Sequence, residues 1–223
     1  MKRKNKTSLI DMSLNRIAQE KFSTVQANIE FMHKKDHSIR TFAITSANKG
    51  EGKTFFSNNF SRTYAQFKHK VLMIDTDFYA PSLTDQHNLR HHAGLSNILI
   101  GSATIKDTIV NLAPNLDIIP IGAIPPNPLE LLQVHGLQDT IKEVFTLGYD
   151  YLIFDCPPIN LFVDARIVAS NCDLGILVVN SNKTKEEELL NSKTLMESSG
   201  VRSFGAVLNN VKYDQKKYDY YGY

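Results

Sequence analysis

Nine residues hold the densest chemical potential of this chain: Ser46-Ala-Asn-Lys-Gly-Glu-Gly-Lys-Thr54. Gly50 and Gly52 let successive backbone N–H groups curl around an anion with no Cβ in the way. A helix opening here adds unpaired N–H donors and the positive end of its dipole. Contact with a nucleotide is therefore expected over Gly50, Glu51, Gly52, Lys53, Thr54 and Phe55. In this loop pattern the lysine reaches the β- and γ-phosphates and the hydroxyl joins a Mg²⁺ ion, roles that fall to Lys53 and Thr54. The usual first glycine is Ala47, a small residue that a relaxed form of the pattern tolerates. Lys53 follows a solvent-facing turn and is expected to contribute little to the core.

Three carboxylates accompany the loop. Asp155 ends the apolar run Tyr-Leu-Ile-Phe and precedes Cys-Pro-Pro, the placing of a Walker B acid whose task is to hold Mg²⁺. Asp75 and Asp77 flank Thr76 after Val-Leu-Met-Ile. Mg²⁺ keeps several waters and takes few protein ligands, so Thr54, Asp75, Asp77 and Asp155 can all serve one metal region. Strand C-termini are where ligands sit in open α/β sheets.

Positioning these groups requires a strand before the loop (41–45) and a helix after it (55–67). Further apolar runs at 71–75, 116–121, 151–155, 174–179 and 204–208 read as strands, with helical stretches at 129–145 and 183–199 between them. Continuous apolar strands separated by helices predict an α/β fold, a mostly parallel central sheet with helices on both faces. Residues 17–32 have helical spacing, with Phe22, Val25, Ile29 and Met32 on one face. The proline-rich 124–128 is expected to be a rigid surface loop. The expected organisation is an N-terminal extension with a helix (1–39), a catalytic domain (40–211) and a flexible tyrosine-rich tail (212–223).

Bulk composition excludes some partners. The 223 residues are 42% hydrophobic and 22% charged with a formal charge of +2, an ordinary globule with no argument for nucleic acid. The two cysteines, Cys156 and Cys172, lack metal or redox spacing, which fits a reduced cytosol. No apolar stretch approaches the length that spans a bilayer. The His91-His92 pair lacks ligand spacing and reads as a solvated loop. Asn182-Lys-Thr-Lys185 lacks the terminal acid of a guanine-specifying motif, favouring adenine.

Taken together, the loop Ala47-x₄-Gly-Lys-Thr54, the run Val71-Leu-Met-Ile-Asp-Thr-Asp77, the run Leu152-Ile-Phe-Asp-Cys-Pro-Pro158 and a terminal tyrosine cluster resemble the bacterial tyrosine kinases. More closely, the chain resembles the separate cytoplasmic kinases of Gram-positive capsular and exopolysaccharide gene clusters. GLSNILIG at 94–101, PPNPLELL at 125–132 and the YYGY ending extend the likeness over nearly the whole chain. The resemblance implies a P-loop NTPase architecture of the MinD/ParA type and an ATP- and Mg²⁺-dependent protein-tyrosine kinase. It implies that Lys53, Asp75 and Asp77 are catalytic, and that Asn209 contacts adenine. It implies autophosphorylation at Tyr213, Tyr218, Tyr220, Tyr221 and Tyr223. A membrane-embedded adaptor of the polysaccharide co-polymerase type would activate the kinase and recruit it from the cytoplasm to the inner membrane face. Self-association would run through the tail and the N-terminal helix.

The chain departs from the family pattern at three places. Tyr79 stands where a basic residue commonly follows the second acidic motif. Ser23 and Gln26 stand where a Glu-x-x-Arg-x-x-Arg motif drives ring assembly, and Lys49 replaces a frequent proline. Two other readings share the loop. A positioning ATPase of the ParA/MinD type would carry a lysine at position 48, where this chain has asparagine. A catalytically weak ATP-binding subunit of the capsule machinery would tolerate the departures.

Overall fold

The central strands are buried along their whole length because both of their faces are covered. In the computed structural model, which describes residues 16–33, 39–134 and 136–212, helix α1 (Arg16–His33) precedes β1 (Thr41–Ser46), α2 (Lys53–Gln66) and β2 (Val71–Asp75). Three short helices follow, α3 (Ser82–Gln86), α4 (Leu95–Leu99) and α5 (Ile105–Thr108), then strands β3 (Val110–Ala113) and β4 (Leu116–Ile119). The remainder is α6 (Pro128–Val134), α7 (Leu137–Thr146), β5 (Tyr151–Asp155), α8 (Asp164–Ser170), β6 (Leu174–Asn180), α9 (Glu186–Ser198) and β7 (Ser203–Asn209). The sheet order is β3-β4-β2-β5-β1-β6-β7, parallel throughout except for the β3–β4 edge hairpin.

Alternation along the strands sorts side chains into two cores. Phe42, Ile44, Met73 and Ile153 face α1, α2 and α3, where Phe42, Phe60, Tyr64 and Tyr151 form an aromatic cluster. Ala43, Leu72, Ile74 and Phe154 face the opposite layer, which includes Leu95, Leu131, Ile141, Val168 and Met196. Cys156 and Cys172 belong to this second core, both buried and unpaired, and burial pushes both thiols up from their ordinary pKa.

Three expectations are revised. The helical stretch 129–145 is two helices, because Gly136 takes φ +70° at the start of α7, a conformation that interrupts helical geometry. On α1, Phe22 and Ile29 are buried as predicted, but Met32 is exposed and Gln26 takes an inward place at 7% exposure. The edge strand β3 was missed in the periodicity, although Pro114-Asn115, with Asn115 at φ +62°, is a hairpin signal. His91 and His92 lie on an exposed stretch, as read from sequence. The tail tyrosines lie outside the described residues.

The GLSN segment owes its glycine to a close backbone crossing. A Cβ on Gly94 would sit 2.1 Å from the Pro120 carbonyl oxygen and 2.4 Å from the Gly122 nitrogen. The approach lets Leu95 N–H donate to Pro120 O at 2.8 Å and Ser96 N–H to Ile121 O at 3.0 Å, docking α4 on the end of β4. Both neighbours are backbone and cannot swing aside. Gly94→Ala is expected to destabilise the protein by about 1–3 kcal/mol, read as a lower urea midpoint at unchanged slope.

Candidate phosphoryl-transfer site

Parallel pairing of β2 with β5 sets Asp75 directly beside Asp155 in register at the carboxyl ends of both strands. The phosphate loop leaves β1, the strand on the other side of β5, so loop and acids meet at one edge of the sheet. Gly50 at φ +81° and Gly52 at φ +99° carry the left-handed turns that the loop needs.

Each acid has its own partners. Asp155 Oδ2 accepts from Thr54 Oγ1 at 2.7 Å and Oδ1 from Ser57 Oγ at 2.9 Å. Asp75 accepts from Thr84 N–H at 2.8 Å, from Thr84 Oγ1 at 2.7 Å and from Asp77 N–H at 3.1 Å. Asp77 Oδ2 takes Lys53 Nζ at 2.8 Å, and its Oδ1 accepts from Ala80 N–H at 2.9 Å. Lys53 is not the solvent-facing group expected: it is 7% exposed, at the heart of the acid cluster.

Burial alone would lower the Lys53 pKa, but the carboxylates of Asp155, Asp77 and Asp75 outweigh it and hold the ammonium above its ordinary value. Burial first, then the charge of Asp155, pushes Asp75 up to about 7. Burial likewise raises Asp155, against the pull of Lys53, Thr54 and Ser57.

The donor set fits Mg²⁺ with nucleotide phosphate. Thr54 Oγ1 and Asp155 are hard oxygens in mutual contact at the start of α2, and an octahedral ion completes its shell with phosphate and water oxygens. Among the described residues no group of three His, Cys, Asp or Glu side chains forms a ready cage for a metal.

The loop is also braced from the far side of the sheet. Glu51, buried, accepts from Asn48 N–H at 2.9 Å and from Thr184 Oγ1 at 2.6 Å. Asn209, at the end of β7, donates to the Glu51 carbonyl at 2.9 Å. It lies so close to Gly52 that a Cβ there would meet its Nδ2 at 2.0 Å. The Phe55 ring lies apart from the acids, lining a 470 Å³ groove with Phe22 and Val207 between α1 and β7.

Comparison with known proteins agrees with this architecture. The family model described as an AAA domain matches residues 39–185. The chain is 34% identical over 205 residues to the putative tyrosine-protein kinase CapB of Staphylococcus aureus, covering 92% of this chain and 89% of that one. It is 36% identical over 209 residues to the tyrosine-protein kinase CpsD of Streptococcus agalactiae, with 92% and 88% covered. The crystal structure of the chimerical protein CapA2B2 superposes with TM-score 0.83 at 30% identity, covering 92% of this chain and 90% of that one. The chain belongs to the bacterial tyrosine-kinase family. The broader fold is shared with the septum site-determining protein MinD of Pyrococcus horikoshii, solved with Mg-ADP, at TM-score 0.63 and 25% identity, covering 79% of this chain and 72% of that one.

Several residues of this site escaped sequence reasoning. Ser57 lies one helical turn after Thr54 and could have been found from that spacing. Thr84, which caps Asp75 and also accepts from Ile121 N–H at 2.9 Å, gave no motif signal. Nor did Thr184, whose link to Glu51 spans 133 residues of sequence. Where the family commonly has a basic residue, the Tyr79 hydroxyl donates to Asp164 Oδ2 at 3.2 Å. Of the two lost arginine positions, Ser23 is exposed and Gln26 buried, its Oε1 without a hydrogen-bond partner, so an arginine at 26 would have to displace packing against α2.

The raised Asp75 pKa fixes the sign of a pH dependence. A carboxylate that titrates higher when folded contributes stability that is complete below its unfolded value, near 4, and is lost as the pH rises through about 7. The nucleotide-free protein is expected to melt at progressively lower temperature from about pH 5 to about pH 8. Asp75→Asn should flatten that slope in thermal scans across the same buffers.

Proposed function

We propose that this chain is an ATP-dependent protein-tyrosine kinase whose acceptors are the tyrosines of its own C-terminal segment. It would act in capsular polysaccharide synthesis beside a membrane-embedded activating partner. The observation that carries the reading is the 2.8 Å contact of Lys53 Nζ with Asp77 Oδ2 in the phosphate loop of a tyrosine-kinase relative. It holds the phosphate-binding cation and the candidate base within one buried pair. Nucleotide phosphates offer Lys53 a competing anion, so binding of ATP would release the Asp77 carboxylate. Asp77 then accepts the phenolic proton while the phenol oxygen attacks the γ-phosphorus and the bond to the ADP oxygen breaks. An ordinary phenol ionises near pH 10, so a carboxylate poised at its oxygen is useful at neutral pH. Lys53 and the backbone donors of Gly50 to Thr54 neutralise the charge on the transferring group.

Thr54 and Asp155 would hold Mg²⁺, which when bound would supply positive charge against that of the phosphates. Asp75 tunes the site from its place beside Asp155, anchored by Thr84. Asn209 would flank the base, since it already braces the loop at Gly52. No described helix is long and apolar enough to cross a membrane, so recruitment to a membrane face would depend on the partner. Self-association through α1 would be weakened by Ser23 and Gln26 in place of arginines.

Lys53→Met is expected to lower phosphate incorporation about a hundredfold or more, measured with labelled ATP on purified protein showing a native circular-dichroism spectrum. Undiminished incorporation would overturn the assigned role. Replacing Tyr218, Tyr220, Tyr221 and Tyr223 together by phenylalanine should leave ATP binding unchanged and remove most phosphate, with Tyr213 the residual acceptor. Peptide mapping that places the phosphate on Tyr64, Tyr149 or Tyr151 would refute the tail as substrate.

A further inference from the structure

Two loops leave the carboxyl ends of the acid-bearing strands β2 and β5, and each brings one aromatic ring to the same point. The rings of Tyr79 and Phe162 stack with centroids 3.8 Å apart and planes 17° from parallel. Both are held from behind. The turn that carries Tyr79 is closed by the Ala80 N–H donating to Asp77 Oδ1, so the carboxylate that grips Lys53 also shapes this turn. Leu161 and Phe162 N–H both donate to Pro158 O at 3.1 Å, and the Tyr79 hydroxyl is anchored on Asp164, a residue only 2% exposed. Despite this anchoring, the surface is open. Tyr79 is 47% exposed while one of its faces lies on Phe162, and Leu161 and Val163 beside it are 58% and 47% exposed.

We propose that the Tyr79–Phe162 pair is the acceptor shelf of the kinase, seating the phenol ring of an incoming tyrosine from the chain's own segment 213–223. The inference rests on the kinase reading and adds to it the surface that recognises the acceptor. A tyrosine whose oxygen meets Asp77 must lay its ring close by, and Tyr79 is two residues from Asp77 in a turn that Asp77 itself closes. Aromatic pairs gain energy beyond the area they bury, in offset or edge-on geometry, so exposed rings at the mouth favour an aromatic guest. The segment supplies such guests in nearly every register, as Tyr218-Asp-Tyr-Tyr-Gly-Tyr223. A shelf that reads rings rather than one exact sequence suits a substrate of clustered tyrosines. It also gives the tyrosine at position 79 a use that a basic residue there would not have.

The test uses the full chain and a synthetic peptide of residues 212–223. Tyr79→Leu and Phe162→Leu keep bulk but lose the ring, and each is expected to raise KM for the peptide about three- to tenfold. KM for ATP and the melting temperature should stay close to wild type. Tyr79→Phe, which keeps the ring and drops the bond to Asp164, should retain most of the peptide affinity. A labelled peptide with every tyrosine replaced by phenylalanine should bind wild type and weaken on Tyr79→Leu, whereas a leucine-substituted peptide should not bind. This binding arm is independent of phosphoryl transfer. Ring-dependent binding with no transfer would refute the kinase reading and leave the shelf standing. Transfer with an unchanged peptide KM in both leucine variants would overturn the shelf and leave the kinase. Tyr79-dependent binding to anionic lipid vesicles, with the peptide unaffected, would likewise overturn it in favour of a membrane contact.

Discussion

Three buried carboxylates and one buried ammonium share the carboxyl edge of the sheet, and the rest of the site is arranged around balancing them. Like charges out of water are costly unless each finds hydrogen bonds or an opposite charge. Lys53 answers Asp77, while Thr54 and Ser57 answer Asp155 and Thr84 answers Asp75. These bonds draw α2, the loop after β2 and the short helix α3 towards a single point. The cluster holds more negative than positive charge, the polarity expected of a place that receives cations. It also explains why Asp75 and Asp155 resist ionisation, since burial disfavours both charged forms and a neighbouring carboxylate adds to it, Asp155 at Asp75 and Asp77 at Asp155.

The phosphate loop and the strand-ending acids were legible because their chemistry demands fixed residue types at short spacing. The parallel sheet was legible because continuous apolar runs leave few alternatives. What escaped was carried by contacts distant in sequence. Thr184 reaches Glu51 across the sheet, and Thr84 acts through an ordinary short helix. Neither leaves a mark in local pattern. The inward turn of Gln26 was hidden for a different reason, since a polar side chain on an amphipathic helix reads as solvent-facing until α2 is laid against it. Lys53 misled in the same direction: a glycine-rich turn suggests exposure, but the acids wrap the lysine.

The departures from the family pattern follow the same division. Tyr79, at the acid-bearing edge, is accommodated by contacts of its own, the hydroxyl on Asp164 and the ring on Phe162. Those on α1 lie on the helix that packs against α2, Ser23 exposed and Gln26 buried. Glu51 ties the phosphate loop to the neighbouring strands, bonded to the turn after β6 and, through its carbonyl, to the last residue of β7.

The two cysteines give the molecule an internal clock. Cys156 follows Asp155 directly, has no exposed surface, and has a thiol that burial holds in its protonated, unreactive form. Cys172 lies in the same layer. Neither offers a thiolate to oxidants or alkylating reagents while the sheet is closed. The rate at which a thiol reagent labels Cys156 therefore counts openings of the strand end that carries Asp155. A ligand that seals that edge would slow the count.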